Sequence, residues 1–252
     1  MPFINAIAKT QGRRPTMEDT NVMCKLNRVN NTLFAVFDGH NGIHVAQMCA
    51  NVCQRLMNEE MYKTHDMSEC IRRVFHTMDK IALHMETPQI GTTALVCIFT
   101  PNRIWFANCG DAMGMILNMN GSSSMVSVDH KVENEKERIL AAGGNVLFSG
   151  GCARIDGVLN VARAIGDHSL KSTSNVVIPD PYVFSVRPTS DIDYIILASD
   201  GLWDVFDNHS LSEEIQKNKH KGVDDLARHI VQAALNRGSM DNITIYLVKC
   251  SF

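Results

Sequence analysis

The chain contains 252 residues, of which 45% are hydrophobic and 20% are charged, and its formal net charge is −3 at pH 7. These values are typical of a globular protein that buries a sizeable core in one large domain or two small ones. The lysines and arginines are scattered, which argues against a nucleic-acid-binding surface. No apolar run approaches the roughly 18 residues that cross a bilayer.

The N-terminus and the cysteines indicate the compartment. The first residues, MPFINAIAKT, lack the basic and apolar regions of a secretory signal. The chain has 8 cysteines and no CxxC pair, a pattern typical of free thiols rather than of a zinc ribbon or a disulfide framework. We therefore expect a cytoplasmic or nuclear protein with no membrane segment.

Hydrophobic periodicity predicts blocks of strands alternating with helices. In chain order the predicted elements are strands 3–9 and 32–38, helices 43–57 and 68–85, strands 92–100, 103–108 and 113–117, helix 134–142, strands 158–162, 182–187 and 194–198, helices 210–217 and 223–237, and strand 243–249. Tight turns such as Pro101-Asn102 favour antiparallel pairing, and the paired helices favour a layer outside the sheets. Because no linker-like stretch divides the chain, we predict one domain over residues 1–252.

Acidic residues recur at the ends of apolar segments or just before them. They are Glu18, Asp19, Asp38, Asp111, Asp200 and Asp241. A hairpin turn is the simplest explanation of Asp38-Gly39, but no return strand is predicted after it, or after Asp200-Gly201. Asp156-Gly157, by contrast, lies between short alternating segments and is predicted to form a true two-residue hairpin.

Carboxylates gathered in one place repel one another unless a counter-ion lies between them. An oxygen-only ligand set suits Mg²⁺ or Mn²⁺ better than zinc. Two such ions about 3.5–4 Å apart can promote in-line displacement at phosphorus. The alternative is that each aspartate caps a helix or a turn. His40 and His44 could suggest zinc, but Asn41-Gly42 between them and the lack of a glutamate argue against an HExxH site.

Short segments along the chain carry a more specific pattern. They are GRRPTMED, FAVFDGHNG, GTTAL, ANCGDA, LNVARAIGD, ILASDGLWDV and GSMDNIT, between Gln11 and Thr244. In sequence and in order they resemble the metal-dependent protein serine/threonine phosphatases of type 2C, the PPM family. The resemblance implies an α+β fold in which a central sandwich of two antiparallel β-sheets is flanked on both sides by antiparallel helices.

The resemblance also implies a reaction and a metal centre. The reaction is hydrolysis of phosphoserine and phosphothreonine in proteins by a water held between two Mg²⁺ or Mn²⁺ ions, which Asp38 bridges. The other groups that complete the two metal shells are Glu18, the Gly39 carbonyl, Asp200 and Asp241. Asp111 and Asp204 would hold a weaker third ion together with Asp200, and Asp19 would orient a metal-bound water.

Two further residues acquire roles in substrate handling from the resemblance. Arg14 would bind the phosphate, because its planar fork suits two phosphate oxygens. His40 would act as general acid and deliver a proton to the leaving serine or threonine oxygen, an effect worth about 10²–10⁴-fold.

Other residues of the same segments are interpreted as structural. We expect Arg163 and Asp167 to form an ion pair, and Thr92 and Thr93 to be packing residues at the start of a strand. Asn41 stands where the family usually has glycine. Because asparagine tolerates the left-handed conformation, we expect the turn to survive.

The sequence leaves three functions open. The first is an active phosphatase, with phosphorylated proteins as partners. The second is a phosphatase-like adaptor that has lost catalysis, but such a protein would lack an acidic ligand, and Glu18, Asp38, Asp200 and Asp241 are all present. The third is a metal-dependent nuclease, which would need a basic groove that a chain of net charge −3 does not indicate.

Overall fold

A computed structural model of the chain describes residues 3–27, 31–171 and 175–252. The strands are β1 (Phe3–Thr10), β2 (Asp19–Lys25), β3 (Thr32–His40), β4 (Gly91–Thr92), β5 (Ala94–Phe99), β6 (Ile104–Cys109), β7 (Met113–Asn118), β8 (Ser123–Met125), β9 (Val146–Ser149), β10 (Cys152–Ile155), β11 (Ile165–Gly166), β12 (Tyr182–Val186), β13 (Ile192–Ala198) and β14 (Ile243–Cys250). The helices are α1 (His44–Lys63), α2 (Met67–Leu83), α3 (Lys136–Ala141), α4 (His168–Lys171), α5 (Asp200–Trp203), α6 (Asn208–Asn218) and α7 (Val223–Asn236).

The strands form two large antiparallel sheets and one small hairpin. One sheet has the order β1-β14-β13-β7-β8, and the other has the order β11-β4-β3-β5-β6-β12, with β2 paired to β3. Among the described strands, β9 and β10 pair with each other, and Ile155 of β10 also forms an isolated bridge with Leu159. Every pairing between these strands is antiparallel. The predicted α+β sandwich is therefore confirmed.

Side chains point alternately to the two faces of the sheet along β3, and both of these faces are covered. Leu33, Ala35 and Phe37 pack with buried residues of α1 and α2. Phe34 and Val36 point to the opposite face and pack against the other sheet. Successive side chains of a strand point to opposite faces, and burying each large apolar side chain contributes about 1.5–3 kcal/mol.

The same alternation along β13 builds the other half of the molecule. Ile195 and Leu197 join the core between the sheets, whereas Tyr194, Ile196 and Ala198 pack toward α6 and α7. The order of layers is therefore α1 and α2, sheet, sheet, and α6 and α7. The end of β3, the end of β13 and the start of β14 lie on the same side of the two sheets. The acidic residues Asp38, Asp200 and Asp241 lie there.

Several elements differ from the sequence predictions. β2 was not predicted because most of its residues are only half-buried, which weakens the alternation. The predicted strand 158–162 is reduced to isolated bridges at Leu159 and Val161. Helix α1 continues six residues beyond its predicted end because Met61 is buried and Glu60 pairs with Lys63.

The predicted turn at Asp156-Gly157 is present, but it is closed by a single bridge between Ile155 and Leu159 and not by a pair of strands. Both residues have positive φ, 51° and 76°, as a type I′ turn requires, and the amide of Val158 donates to the carbonyl of Ile155 at 2.9 Å. The eight cysteines are free thiols, as predicted. Among the described residues, no helix is both long and apolar enough to span a membrane.

Candidate active site

A cleft of about 390 Å³ lies at the edge where β3, β13 and β14 meet. Its lining includes Arg14, Glu18, Asp38, Gly39, His40, Thr93, Asp111, Asp200, Asp241 and Asn242. The fold thus brings together residues that are more than two hundred positions apart in the chain. Of the other predicted site residues, Asp19 is buried directly opposite Asp38 in the β2–β3 register. Asp204 is exposed and shares an adjoining pocket with Asp200.

The backbone of Asp38 is held by the two threonines that follow Gly91. Its carbonyl accepts hydrogen bonds from the amide of Thr93 at 2.9 Å and from the hydroxyl of Thr92 at 3.0 Å. Its amide donates to the hydroxyl of Thr93 at 3.3 Å. The predicted packing of these threonines is confirmed by their burial, and their hydroxyl groups also fix the backbone of Asp38.

The carboxylates of the cleft raise one another's pKa. Burial is the main reason that the pKa of Asp38 lies well above its usual range, and the charges of Asp200, Asp19 and Asp111 raise it further. The pKa of Asp200 is also raised well above the ordinary value, by burial and then by Asp111 and Asp204. Such a cluster is stable in its charged form only when a cation lies among the oxygens.

The donor set of the cleft fits a hard divalent cation. Asp111 is 3% exposed, and its Oδ2 is a buried oxygen without a hydrogen-bond partner. Burial raises the pKa of this carboxyl group to about 6. Among the described residues, no three acidic, histidine or cysteine side chains form a ready-made metal cage. A backbone carbonyl and water would therefore have to supply part of the shell, as Mg²⁺ commonly requires.

Glu18 and Gly39 lie close together beside Asp38. The carboxylate of Glu18 accepts hydrogen bonds from the hydroxyl of Thr16 and from the amide of Gly42, each at 2.9 Å. A Cβ on Gly39 would lie 2.7 Å from the Glu18 carbonyl, so only glycine fits there. Asn41 adopts φ +60°, which confirms that asparagine supports the left-handed turn.

The buried side chain of Asp19 contacts the segment that carries Asp200. Its Oδ2 accepts a hydrogen bond from the hydroxyl of Ser199 at 2.9 Å, and Ser199 immediately precedes Asp200. Its Oδ1 is buried without a hydrogen-bond partner. Burial is the main cause of the raised pKa of Asp19. This side chain thus joins β2 to the end of β13, next to two of the candidate ligands.

Arg14 lies on the exposed rim of the cleft. Its guanidinium donates to Asp241, and the side chain is 57% exposed. Asn242 fixes the loop that carries it, because the side-chain amide donates to the carbonyls of Gln11 and Thr16 at 2.8 and 2.9 Å. The guanidinium therefore faces the cleft from a loop that is anchored to the start of β14.

His40 has an unpredicted partner. Its Nε2 lies 2.9 and 2.8 Å from the two carboxylate oxygens of Asp167. Burial by itself lowers the pKa of His40, but the charge and hydrogen bond of Asp167 outweigh it, so the net pKa is raised. Arg163 forms its ion pair with Glu135 instead. The predicted Arg163–Asp167 pair is therefore wrong: each residue pairs with a different partner.

A lysine that the sequence analysis did not select lies beside the candidate third-ion residues. The Nζ of Lys131 is 3.8 Å from Asp204 Oδ1 and 3.8 Å from Asp129 Oδ2. Burial lowers the pKa of Lys131, but Asp129, Asp111 and Asp204 raise it above the ordinary value. A permanent positive charge thus accompanies this part of the acidic cluster.

Comparison with known proteins identifies the family. The protein phosphatase 2C family matches residues 6–243 of the chain. The chain belongs to this family. Protein phosphatase 2C 37 of Arabidopsis thaliana is 33% identical over 281 residues, which cover 94% of this chain and 69% of that protein. Protein phosphatase 1L of Bos taurus is 34% identical over 267 residues, which cover 97% of this chain and 71% of that protein.

A third relative and two solved structures extend the comparison. Probable protein phosphatase 2C 7 of Oryza sativa subsp. japonica is 35% identical over 249 residues, covering 95% of this chain and 63% of that protein. The crystal structure of serine-threonine phosphatase 2C from Toxoplasma gondii superposes with a TM-score of 0.86 at 22% identity, covering 98% of this chain and 94% of that one. The structure of a C. elegans sex determining protein gives a TM-score of 0.87 at 25% identity, covering 99% and 65%.

Membership of the protein phosphatase 2C family confirms two predictions. The fold is the α+β fold of the structural neighbours, and the enzyme class is that of protein phosphatases, the name that the curated relatives carry. Besides Lys131, sequence reasoning missed the role of Asp167 in this phosphatase. Its position in the LNVARAIGD segment was the available indication, but its partner could not be read from the segment alone.

Proposed function

We propose that this chain, as one catalytic domain, hydrolyses phosphoserine and phosphothreonine monoesters in proteins with the help of two divalent cations, Mg²⁺ or Mn²⁺. The observation that supports this most strongly is the acidic cluster around Asp38 in one cleft with Arg14 and His40. The cluster offers only oxygen ligands, and the other two residues offer a phosphate-binding fork and a proton donor.

The cations have identifiable ligands in this proposal. Asp38 would be the ligand shared by the ions, and the Gly39 carbonyl, Asp200, Asp241 and Glu18 would complete the set of ligands, directly or through water. When bound, such ions neutralise phosphoryl charge and activate a water as the nucleophile. A third, weaker ion would bind beside Asp111 and Asp204, which face Asp200.

Arg14 would bind the transferred phosphoryl group. A guanidinium donates two parallel hydrogen bonds to two phosphate oxygens and stays charged at any working pH. Asp241 limits its orientation through their ion pair. The side chain therefore approaches substrate already aligned, which reduces the entropy that binding must overcome.

His40 would supply the proton that the leaving group needs. The oxygen of serine or threonine is a poor leaving group as an alkoxide, and general acid catalysis is worth about 10²–10⁴-fold. The imidazole lines the cleft with Asp38, and its side chain is 23% exposed. It can therefore reach a bound phosphomonoester while its Nε2 remains paired with Asp167.

The test is hydrolysis of a phosphothreonine peptide by the pure protein, in EDTA and then with added Mg²⁺ or Mn²⁺. We expect phosphate release only with metal, and loss of that release in Asp38→Asn. Asp191→Asn is the matched control, since Asp191 is exposed and does not line the cleft. Peptide binding without turnover under every metal would overturn the proposal in favour of the adaptor.

A further inference from the structure

We propose that Asp167 is a positioning residue that holds the His40 imidazole so that its other ring nitrogen, Nδ1, can deliver a proton to the leaving group. This inference rests on the proposed function, because it assigns a task to a residue next to the same cleft. It differs from a general stabilising role, because it predicts a dependence on the leaving group of the substrate.

The first support is the geometry of the contact. Both oxygens of Asp167 lie within 2.9 Å of His40 Nε2, and the aspartate side chain is only 3% exposed. Within residues 3–27, 31–171 and 175–252, the ion pair with His40 is the one that Asp167 makes. A carboxylate is costly to bury unless a partner compensates its charge. The contact with His40 provides this compensation for Asp167.

The second support is a backbone arrangement that leaves room for the pair. His40 lies opposite Gly91 in the β3–β4 register, and Gly91 lies opposite Gly166 in the β4–β11 register. A Cβ on Gly91 would collide with the Asp167 carboxylate and would lie 2.5 Å from His40 Nε2. Three neighbouring strands therefore place the two side chains over a glycine that has no side chain to obstruct them.

The third support is the conformation of Asp167 itself. Its φ is +53° and that of Gly166 is +92°. The left-handed conformation is unfavourable for residues other than glycine. Such conformations persist where the surrounding structure determines them, and they cluster at functional sites. Here the backbone turns at Asp167 and directs its carboxylate at the imidazole.

The chemical consequence follows from the two ring nitrogens. A carboxylate on Nε2 fixes the proton of that nitrogen and the plane of the ring, so exchange with substrate takes place at Nδ1. As the oxygen of the attacking water forms a bond to phosphorus, the bond from phosphorus to the serine or threonine oxygen breaks. That oxygen keeps the electron pair and takes the proton from Nδ1, and the proton that the attacking water loses passes through solvent and restores the ring. Comparable aspartate–histidine pairs orient the histidine in serine hydrolases.

The experiment compares two substrates with different leaving groups in the metal-loaded enzyme. We expect Asp167→Asn to lower kcat on a phosphothreonine peptide by about 10–100-fold, the usual effect of removing an orienting partner. Its kcat on an aryl phosphate should change less than about threefold, because a phenolate leaves with little protonation. In a His40→Ala background, the same substitution should produce no further loss on the peptide.

The control is Asp180→Asn. Asp180 forms a similar pair with His76 at 3.1 Å, but both side chains are more than 40% exposed and neither lines the cleft. Equal losses of Asp167→Asn on both substrates, or additive losses with His40→Ala, would overturn the positioning role and leave a structural one. A wild-type enzyme that hydrolyses neither substrate would overturn the proposed function itself, which is a different result.

A second measurement applies if Asp167→Asn does not fold. The ¹⁵N spectrum of the histidine rings in the wild-type protein, assigned with His40→Ala, reports which nitrogen of His40 carries hydrogen. A hydrogen on Nε2 supports the pair with Asp167. A ring that carries its hydrogen on Nδ1 alone would overturn the proposal.

Discussion

Arg14 and Asp241, which are 227 positions apart in the chain, form an ion pair at the rim of the acidic cleft. This contact couples the candidate phosphate-binding side chain to a candidate metal ligand. Asn242, the next residue, fixes the loop of Arg14 through two hydrogen bonds to its backbone. The rim is thus anchored to the same strand end that supplies Asp241.

Replacement of Arg14 tests the phosphate-binding role. We expect Arg14→Ala to raise KM for a phosphothreonine peptide about tenfold or more, and Arg14→Lys to recover little of it, because a lysine cannot donate the parallel pair of hydrogen bonds. Steady-state kinetics measure both variants. Arg13→Lys is the control, since Arg13 is exposed and contacts Met240 rather than the cleft. A wild-type KM in Arg14→Lys would show that two parallel hydrogen bonds from Arg14 are not needed to bind the phosphate.

Replacement of Asp38 should separate stability from activity. In EDTA, Asp38→Asn should raise Tm. The substitution removes one charge from a buried cluster in which the neighbouring carboxylates raise the pKa of Asp38. Each kcal/mol corresponds to about 2–4 °C in a protein of this size. With excess Mg²⁺, wild type should gain Tm and the variant should gain much less. Differential scanning calorimetry in both buffers measures this, and a variant that is less stable in EDTA would contradict the repulsion argument.

His130 should make stability fall toward acidic pH. Burial, and then the charge of Arg163, lower its folded pKa from 6.5 to about 4. Below pH 6.5 the unfolded chain therefore binds a proton that the folded chain does not. The contribution of His130 to the free energy of unfolding is complete above pH 6.5 and is lost as the pH falls toward 4. Between pH 7.5 and 5 the loss is about 2 kcal/mol.

The measurement for His130 is urea unfolding of wild type and His130→Asn at both pH values. Asparagine keeps a nitrogen near the position that contacts the Gly110 carbonyl at 3.0 Å, and it does not titrate. The stability difference between wild type and variant should shrink at pH 5. His209→Asn, at a side chain 82% exposed, should show no such pH dependence. A difference that stays constant would exclude His130 as the cause.

Lys131 should weaken binding of a third cation. Its ammonium is 3.8 Å from Asp204, so a divalent ion there meets a like charge. Lys131→Met should tighten the weakest Mn²⁺ site about tenfold, as expected for charges roughly 5 Å apart in a solvated environment. Titration followed by electron paramagnetic resonance counts bound Mn²⁺. Lys136→Met, at an exposed lysine, is the control, and unchanged Mn²⁺ affinity in Lys131→Met would contradict the prediction.

Local patterns in the sequence predicted antiparallel sheets with helices outside them and acidic residues near the ends of strands. The continuous apolar run from Leu33 to Phe37 is typical of a fully buried strand, and the structure packs both of its faces. The apolar run stops at Asp38-Gly39, which placed an acidic residue near the end of this strand. Such local information sufficed for Asp200 and Asp241 as well, since each follows or precedes an apolar segment.

The partners of individual side chains were decided only by the tertiary structure. Asp167 was assigned to Arg163, four residues away, yet it pairs with His40 across 127 positions. The reason is that β4 brings β3 and β11 together in a register that no local pattern encodes. The sequence by itself thus determined which chemical groups stand at strand ends, whereas long-range strand pairing decided which of them touch, because register is set by the packing of the whole sheet.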